Sequence, residues 1–541
     1  MPARQDRLEA DFVIVGAGSA GCVVAARLSE DGVSRVVLLE AGGADTDRWI
    51  HIPLGFGKTF ADPAVNWCYE TEPDPGAAGR RVFWPRGKVL GGSSSINGMV
   101  YIRGQAEDFD HWRQLGNTGW SFADVLPYFK RAEHQTRGAD AFHGTGGPLC
   151  VSDVEPHPLC EAFIRAAGEA GIARNDDFNG STQEGVGYHQ TTTRRGRRCS
   201  TAVGYLRPAM RRPNLRVVTG ALAEKIVFDG RRATGVLFRQ DGQLRTAHAA
   251  REVILAGGAI NSPQLLMLSG IGPQQHLRAF GIAVVQHLPG VGQNLQDHYS
   301  APIKLRCRFP ITVNDVMLSN LGKLKAGLQY ALLRKGPLAL ATAPAALFAR
   351  TRPELASPDI KCSLSPFSAE RPQDGLHRFS GFTLIAYQLR PESRGEIRLK
   401  SADPAAPPAV HPNYLAAAID RQTLVAGLKL CRRLLASPHL ARFVAAEFLP
   451  GPEVQSDDEL LDFARRYGGT VFHPTSTCKM GVDALAVVDP QLRVHGIGSL
   501  RVADASIMPT LVSGNTNAAT IMIGERCADM VRAAAASARA A

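Results

Sequence analysis

Four apolar residues in a row close the segment Asp11-Phe12-Val13-Ile14-Val15, which predicts a buried parallel strand. The run passes directly into Gly16-Ala17-Gly18-Ser19-Ala20-Gly21 and then into a helix-like segment, Cys22 to Leu28. A second strand is predicted over Arg35 to Leu39, and it stops at Glu40, 19 residues beyond Gly21. Arg251 to Ala256 repeats the strand pattern, ends in Gly257-Gly258 and continues as the helical AINSPQLLMLSGIG. Near the end, Leu500 to Ala503 reads as a last buried strand and Ala518 to Met530 as a helix. Strand, glycine turn and helix in this order predict an α/β fold, α+β overall.

The middle of the chain is less regular. Leu318 to Leu333 and Leu338 to Phe348 are rich in aliphatic residues and read either as core helices or as the walls of an apolar pocket. Stretches around Arg352 to Gln373 and Ser401 to Pro412 are predicted as loops, and Ala533 to Ala541 as a fraying helix tail. No repeat of 20 to 50 residues is visible.

The first glycine turn carries chemistry. Gly16 permits the tight turn, Gly18 lets the backbone approach a pyrophosphate, and Gly21 lets helix and strand pack closely. The following helix offers free N–H groups and partial positive charge to phosphates, and Glu40 stands where an acidic group binds a ribose. This fingerprint marks an ADP-moiety site and leaves FAD and NAD both open. From Trp84, WPRGKVLGGSSSINGMVYIRG is either a flexible surface loop or a source of backbone donors for a polar ligand. LPGVGQNLQDH, Leu288 to His298, reads as a polar turn that closes this half.

Composition narrows the class. The 541 residues carry 45% hydrophobic and 21% charged side chains, ordinary values for a globular enzyme. The net charge is +11, but the basic residues are scattered, with Arg194, Arg195, Arg197 and Arg198 the densest group. Without interleaved aromatics this predicts a solvated basic face, with weak attraction to anionic lipid, rather than a nucleic-acid surface. Ten cysteines form no C-x-x-C pair, so neither a metal site nor a disulfide framework is expected, and a reducing compartment fits. Met1 to Ala10 reads as a short polar leader. The charge-free stretch Val253 to Leu277 is broken by glycine and proline, so no transmembrane helix is expected.

Taken in order, the N-terminal fingerprint, GKVLGGSSSIN, GAINSPQLLMLSGIG, HPTSTCKMG and VADASIMPTLVSGNTNAATIMIGE resemble the glucose-methanol-choline (GMC) family of FAD oxidoreductases. Within it the chain is most similar to the bacterial alcohol dehydrogenase and choline dehydrogenase branch. The resemblance implies a Rossmann-like FAD-binding region over 8–300, completed by 480–535. It also implies a smaller substrate-binding sheet domain over 300–480, with 46–80 and 150–215 as lids and connections.

It further implies site residues. His473, placed extended by the proline that follows it, would be the base for an alcohol hydroxyl. Asn517 would be its partner, holding the alcohol oxygen, although as a residue at a helix start it also reads as a cap. For FAD the resemblance points to Gly16, Gly18, Ser19, Ala20, Gly21, Glu40 and Ala41, then Gly91, Gly92, Ser93, Asn97, Gly98, Met99 and Val100. Ala223, Ala256, Gly257, Asp504, Ala505, Asn515 and Asn517 complete the set. No metal is implied. Some choline-oxidising relatives attach FAD through a histidine in the glycine and serine motif. Ile96 stands at that position here, so noncovalent FAD is expected and choline is disfavoured.

The expected reaction is oxidation of a primary alcohol to an aldehyde by hydride transfer to flavin N5, electrons passing to a quinone or other acceptor. An oxidase making peroxide from O2, a choline dehydrogenase, and a nonredox lyase or photodecarboxylase on the same fold are the alternatives. A cytoplasmic location with contact to the inner face of a membrane is expected, and the oligomeric state stays open.

Overall fold

The structure, a computed structural model, describes residues 7–371 and 374–540, so the first part of the polar leader, Pro372, Gln373 and Ala541 lie outside the described residues. The predicted first strand is Arg7–Val15, and it pairs in parallel with Val36–Leu39 on one side and Gln243–Leu255 on the other. The full order is Leu215–Val218, Val36–Leu39, Arg7–Val15, Gln243–Leu255, Arg232–Gln240, Leu222–Asp229, with Leu500–Val502 also paired to Gln243–Leu255. Only the last two strands of that order turn antiparallel, as a hairpin on the end of Gln243–Leu255. All four residues of Val36–Leu39 are buried, as a central parallel strand requires.

Two helices from opposite ends of the chain cover this sheet together. Ser19–Leu28 packs on Asn517–Ala540, where the absent side chain of Gly524 allows close contact with Ala20. The fully buried Glu525 joins them: it accepts from Arg27 Nε at 2.9 Å, Arg131 Nε at 2.8 Å and the Tyr205 hydroxyl at 2.7 Å.

A second sheet is antiparallel throughout. Its order is Val444–Leu449, Tyr299–Cys307, Gly381–Gln388, Ile360–Ser365, Ala345–Ala349, Gly185–Tyr188, with Gly469–Thr470 paired to Tyr299–Cys307. The edge strand Gly185–Tyr188 comes from the stretch expected to supply connections. Helix Ala418–Ala436 covers one face, close enough that a side chain at Gly427 would meet Ile360. Ile360, Cys362 and Leu364 are buried in the sheet, while Lys361, Ser363 and Ser365 line a cavity, the period-two alternation of a strand with one polar face.

Four expectations need correction. The supposed loop around Arg352 to Gln373 contains this strand, because its alternation is apolar and polar rather than random. Ser401 to Pro412 contains Ala409–His411, paired with Glu396–Arg398. Leu318 to Leu333 forms a helix, Asn320–Leu333, but Leu321, Leu324, Leu328 and Leu332 are exposed, so it is not a core helix; Leu318 and Lys323 alone of the stretch reach the cavity wall. Leu338 to Phe348 is a short turn followed by the strand Ala345–Ala349. Among the described residues no helix is long and apolar enough to cross a membrane.

Candidate active site

Two glycine loops touch at one end of the cavity. A Cβ on Gly21 would lie 1.8 Å from the Gly16 carbonyl oxygen, so only glycine lets helix Ser19–Leu28 start directly under the strand. Its N-cap, Gly18, brings no side chain to the first-turn N–H groups, which remain available to an anion. A Cβ on Gly92 would lie 2.7 Å from Gly18 Cα, and Gly91 N donates to Ala17 O at 2.8 Å, so the second loop seats against the first. The Glu40 carboxylate accepts from Ala17 N and Gly42 N, both at 2.8 Å, and burial pushes its pKa up to about 7.

From these loops a single cavity of about 1660 Å³ runs to the polar face of the second sheet. It exceeds the ~300–1,000 Å³ of an ordinary small-ligand pocket, which leaves room for a dinucleotide and a substrate together. Every cofactor and catalytic residue expected from the sequence lines it, except Gly21 and Gly91, whose parts are packing and loop-to-loop contact.

His473 stands at the far end, 6% exposed. Its segment is zipped to the end of the LPGVGQNLQDH stretch: Thr475 N donates to Gln296 O at 2.9 Å, and Val471 N to His298 O at 3.0 Å. His473 N donates to Asp297 Oδ1 at 2.8 Å, and Tyr414 holds the other oxygen of that carboxylate at 2.6 Å. Burial raises Asp297 to about 6.

The side chains form a row. Lys361 Nζ donates to Asn515 Oδ1 at 3.0 Å, Asn515 Nδ2 lies 3.0 Å from His473 Nε2, and His473 Nδ1 lies 2.9 Å from His298 Nδ1. His298 Nε2 sits 2.9 Å from the Leu389 carbonyl. A carbonyl only accepts, so His298 Nε2 carries a hydrogen. Burial lowers His298 to about 3, so the ring is neutral and its Nδ1 is an acceptor. His473 Nδ1 must therefore donate, which leaves the His473 Nε2 lone pair facing Asn515. Burial, then the neighbouring His298, Lys361 and Arg86, hold His473 well below the usual histidine range, so Nε2 is unprotonated at neutral pH and accepts from Asn515 Nδ2.

The structure thus brings Asn515 to His473, not Asn517. Asn517 Oδ1 accepts from the Ser19 hydroxyl at 2.7 Å, tying the last helix to the nucleotide loop. Asp504 accepts from Gly258 N at 2.8 Å and the Ser262 hydroxyl at 2.6 Å, fixing the start of helix Gly258–Leu268. Asn97 Oδ1 accepts from Met99 N at 3.0 Å and from Arg198 Nη1 at 2.7 Å. Arg198 is buried rather than part of the solvated basic face, unlike Arg194, Arg195 and Arg197. Sequence reasoning passed over Lys361, His298, Asp297, His189 and Tyr387. The Asp-His pair ahead of an apolar strand, and the alternation Ile360-Lys361-Cys362-Ser363, were the available signals.

A nucleotide-loop fold with a neutral histidine and a carboxamide facing it across one cavity defines a dinucleotide-dependent oxidoreductase. The GMC oxidoreductase family models match residues 10–300 and 391–524. Mouse mitochondrial choline dehydrogenase is 45% identical over 97% of this chain and 89% of its own length. Alcohol dehydrogenase (acceptor) of Pseudomonas putida is 45% identical over 96% and 95%. The solved pyridoxine 4-oxidase of Mesorbium loti matches at a TM-score of 0.88 and 32% identity, over 96% of this chain and 98% of that one. The chain belongs to the GMC oxidoreductase family and is an FAD-dependent oxidoreductase acting on CH–OH donors.

The residues present fit FAD. The uncapped helix start at Gly18 suits the pyrophosphate, Glu40 would hold the ribose, and Asn97 to Val100 line the same cavity as Glu40 and His473.

Proposed function

We propose that the protein oxidises a primary alcohol to the aldehyde, with His473 Nε2 as the base for the hydroxyl proton. The row Lys361–Asn515–His473–His298 carries this reading, because it sets an unprotonated ring nitrogen and an amide donor side by side. An incoming hydroxyl replaces the Asn515–His473 contact with two: its hydrogen goes to Nε2, and its oxygen accepts from Asn515 Nδ2. FAD, when bound, supplies the two-electron acceptor for the hydride leaving the alcohol carbon. Ile96 offers no nucleophile to the flavin, which supports noncovalent binding.

The cavity wall speaks to the substrate. Strands Tyr299–Cys307, Ile360–Ser365 and Gly381–Gln388 carry no Asp or Glu, and the polar face they turn to the cavity includes Lys304, Lys361, Ser363, Thr383 and Tyr387. The Tyr387 hydroxyl and His189 Nε2, both in buried residues that line the cavity, have no hydrogen-bond partner among the described residues. A neutral or anionic alcohol carrying a further oxygen suits this wall. The quaternary ammonium of choline fits less well beside Lys304 and Lys361, but Glu70, Glu370 and Asp374 line the same cavity and choline dehydrogenases are among the relatives, so choline is the second reading. A quinone or similar acceptor is the favoured electron sink.

Anaerobic mixing of the FAD-loaded protein with aliphatic, benzylic, polyol, hydroxy-acid and quaternary-ammonium alcohols tests the reading. Flavin bleaching by one of the first four classes supports it. Yellow absorption persisting with all of them defeats it, and peroxide formation without an added acceptor would make the protein an oxidase.

A further inference from the structure

The Asn320–Leu333 helix turns its inner side, Ala326 and Tyr330, to the protein. Its outer side is a row of leucines: Leu321 is 75%, Leu324 60%, Leu328 55% and Leu332 80% exposed. Their spacing of three, four and four residues puts them on one stripe of the helix. A contiguous exposed apolar stripe on a folded protein marks a surface that something else covers.

Charge identifies the occupant. Between Val316 and Pro353 every charged side chain is basic, including Lys323, Lys325, Arg334 and Lys335 on or beside the helix. The Tyr330 hydroxyl donates to Gly196 O at 2.9 Å, which fixes the helix against the turn bearing the exposed Arg194, Arg195 and Arg197. The densest basic cluster of the sequence therefore lies beside the leucine stripe. Glu155 is also near, but its carboxylate accepts from Gly336 N at 3.0 Å. An apolar stripe bordered by cations matches the acyl and headgroup layers of an anionic bilayer, with the helix lying in the interface plane.

We propose that this helix docks the protein on an anionic lipid surface. Met317, Leu318 and Lys323 also line the cavity, so docking brings the cavity mouth to the membrane. A lipophilic alcohol or quinone-class acceptor then reaches the site from the lipid. The docking stands independently of the alcohol reading, because it uses none of the residues around His473.

Full-length, FAD-loaded protein is sedimented with vesicles of phosphatidylcholine alone or mixed equally with phosphatidylglycerol. We expect pelleting with the mixed vesicles and release by salt. Replacing Leu324, Leu328 and Leu332 together by Gln should weaken partitioning on the order of a hundredfold. Because these side chains are solvent-exposed, the unfolding temperature and the flavin content should be unchanged. Wild-type protein staying in the supernatant with the mixed vesicles would overturn the proposal, as would pelleting of the triple variant equal to wild type, which would mean diffuse charge attraction. A vesicle-free dimer that the triple variant converts to monomer would also overturn it, assigning the stripe to a second copy of the chain.

Discussion

His473 donates its Nδ1 hydrogen to Nδ1 of His298 across 2.9 Å, so the second imidazole sets which nitrogen of the first is basic. His298 itself is locked by the Leu389 carbonyl, which makes the arrangement a fixed relay rather than a shared proton.

Replacing His473 by Ala should slow flavin reduction by alcohol by roughly 10²- to 10⁴-fold. His298→Leu should cost less, about 10- to 100-fold, the equivalent of one buried hydrogen bond left unmade. Stopped-flow absorbance reads both, and unchanged FAD content in each variant shows that the loss is chemical. Equal rates in wild type and His473→Ala would refute the base assignment.

Asn515 and Asn517 separate cleanly by measurement. Asn515→Ala should lower the limiting rate of flavin reduction by about 10²-fold, as for loss of a donor to a developing oxyanion. Asn517→Ala should leave that rate near wild type in loaded enzyme while weakening FAD retention, since its contact is with Ser19. The reverse outcome would restore Asn517 as the substrate partner.

Burial pulls Lys361 down from the ordinary lysine range to about 7. The unfolded chain then binds this proton more tightly than the native state, so native stability rises with pH between about 7 and the ordinary lysine range. Lys361→Met removes that penalty. Its stabilisation should be largest near or below about pH 6 and fade towards about pH 10, as followed by flavin-release temperature. A pH-independent difference would contradict the shift. Lys361→Glu should, in the same spirit, admit choline as a measurable substrate.

Glu525 is fully buried against Arg27, Arg131 and Tyr205. Glu525→Gln leaves Arg27 with Glu30 and Arg131 with Asp529 as their remaining carboxylate partners and should cost about 1–3 kcal/mol of stability, read from the urea midpoint. A shift under roughly 1 kcal/mol would mean that the ion pairs are solvated in solution.

What could be read from the sequence was local. Phe12 to Val15, the glycine turn and Glu40 declare themselves because strand, turn and helix each depend on near neighbours. Asn515 and Asn517 could not be told apart, since counting back from the downstream helical run fixes neither the path through Gly514 nor which amide faces His473. Lys361, His189 and Tyr387 were hard to assign for a different reason. Their meaning comes from three strands meeting across the second sheet, and the alternation that places Lys361 on the cavity face was obscured by the prolines and charges on either side. The leucines of Asn320–Leu333 misled because periodicity reports an apolar face, not what lies against it.

The bond between Ser19 and Asn517 joins positions 498 residues apart, and Leu500–Val502 completes the sheet that Arg7–Val15 begins. On the ribosome the early strands and glycine turn emerge long before these partners exist. The nucleotide cradle cannot close before Asn517 has been synthesised and has left the ribosome, so flavin capture waits for that residue. A nonsense codon anywhere before the last helix therefore yields a chain that cannot be matured, however much flavin the cell supplies.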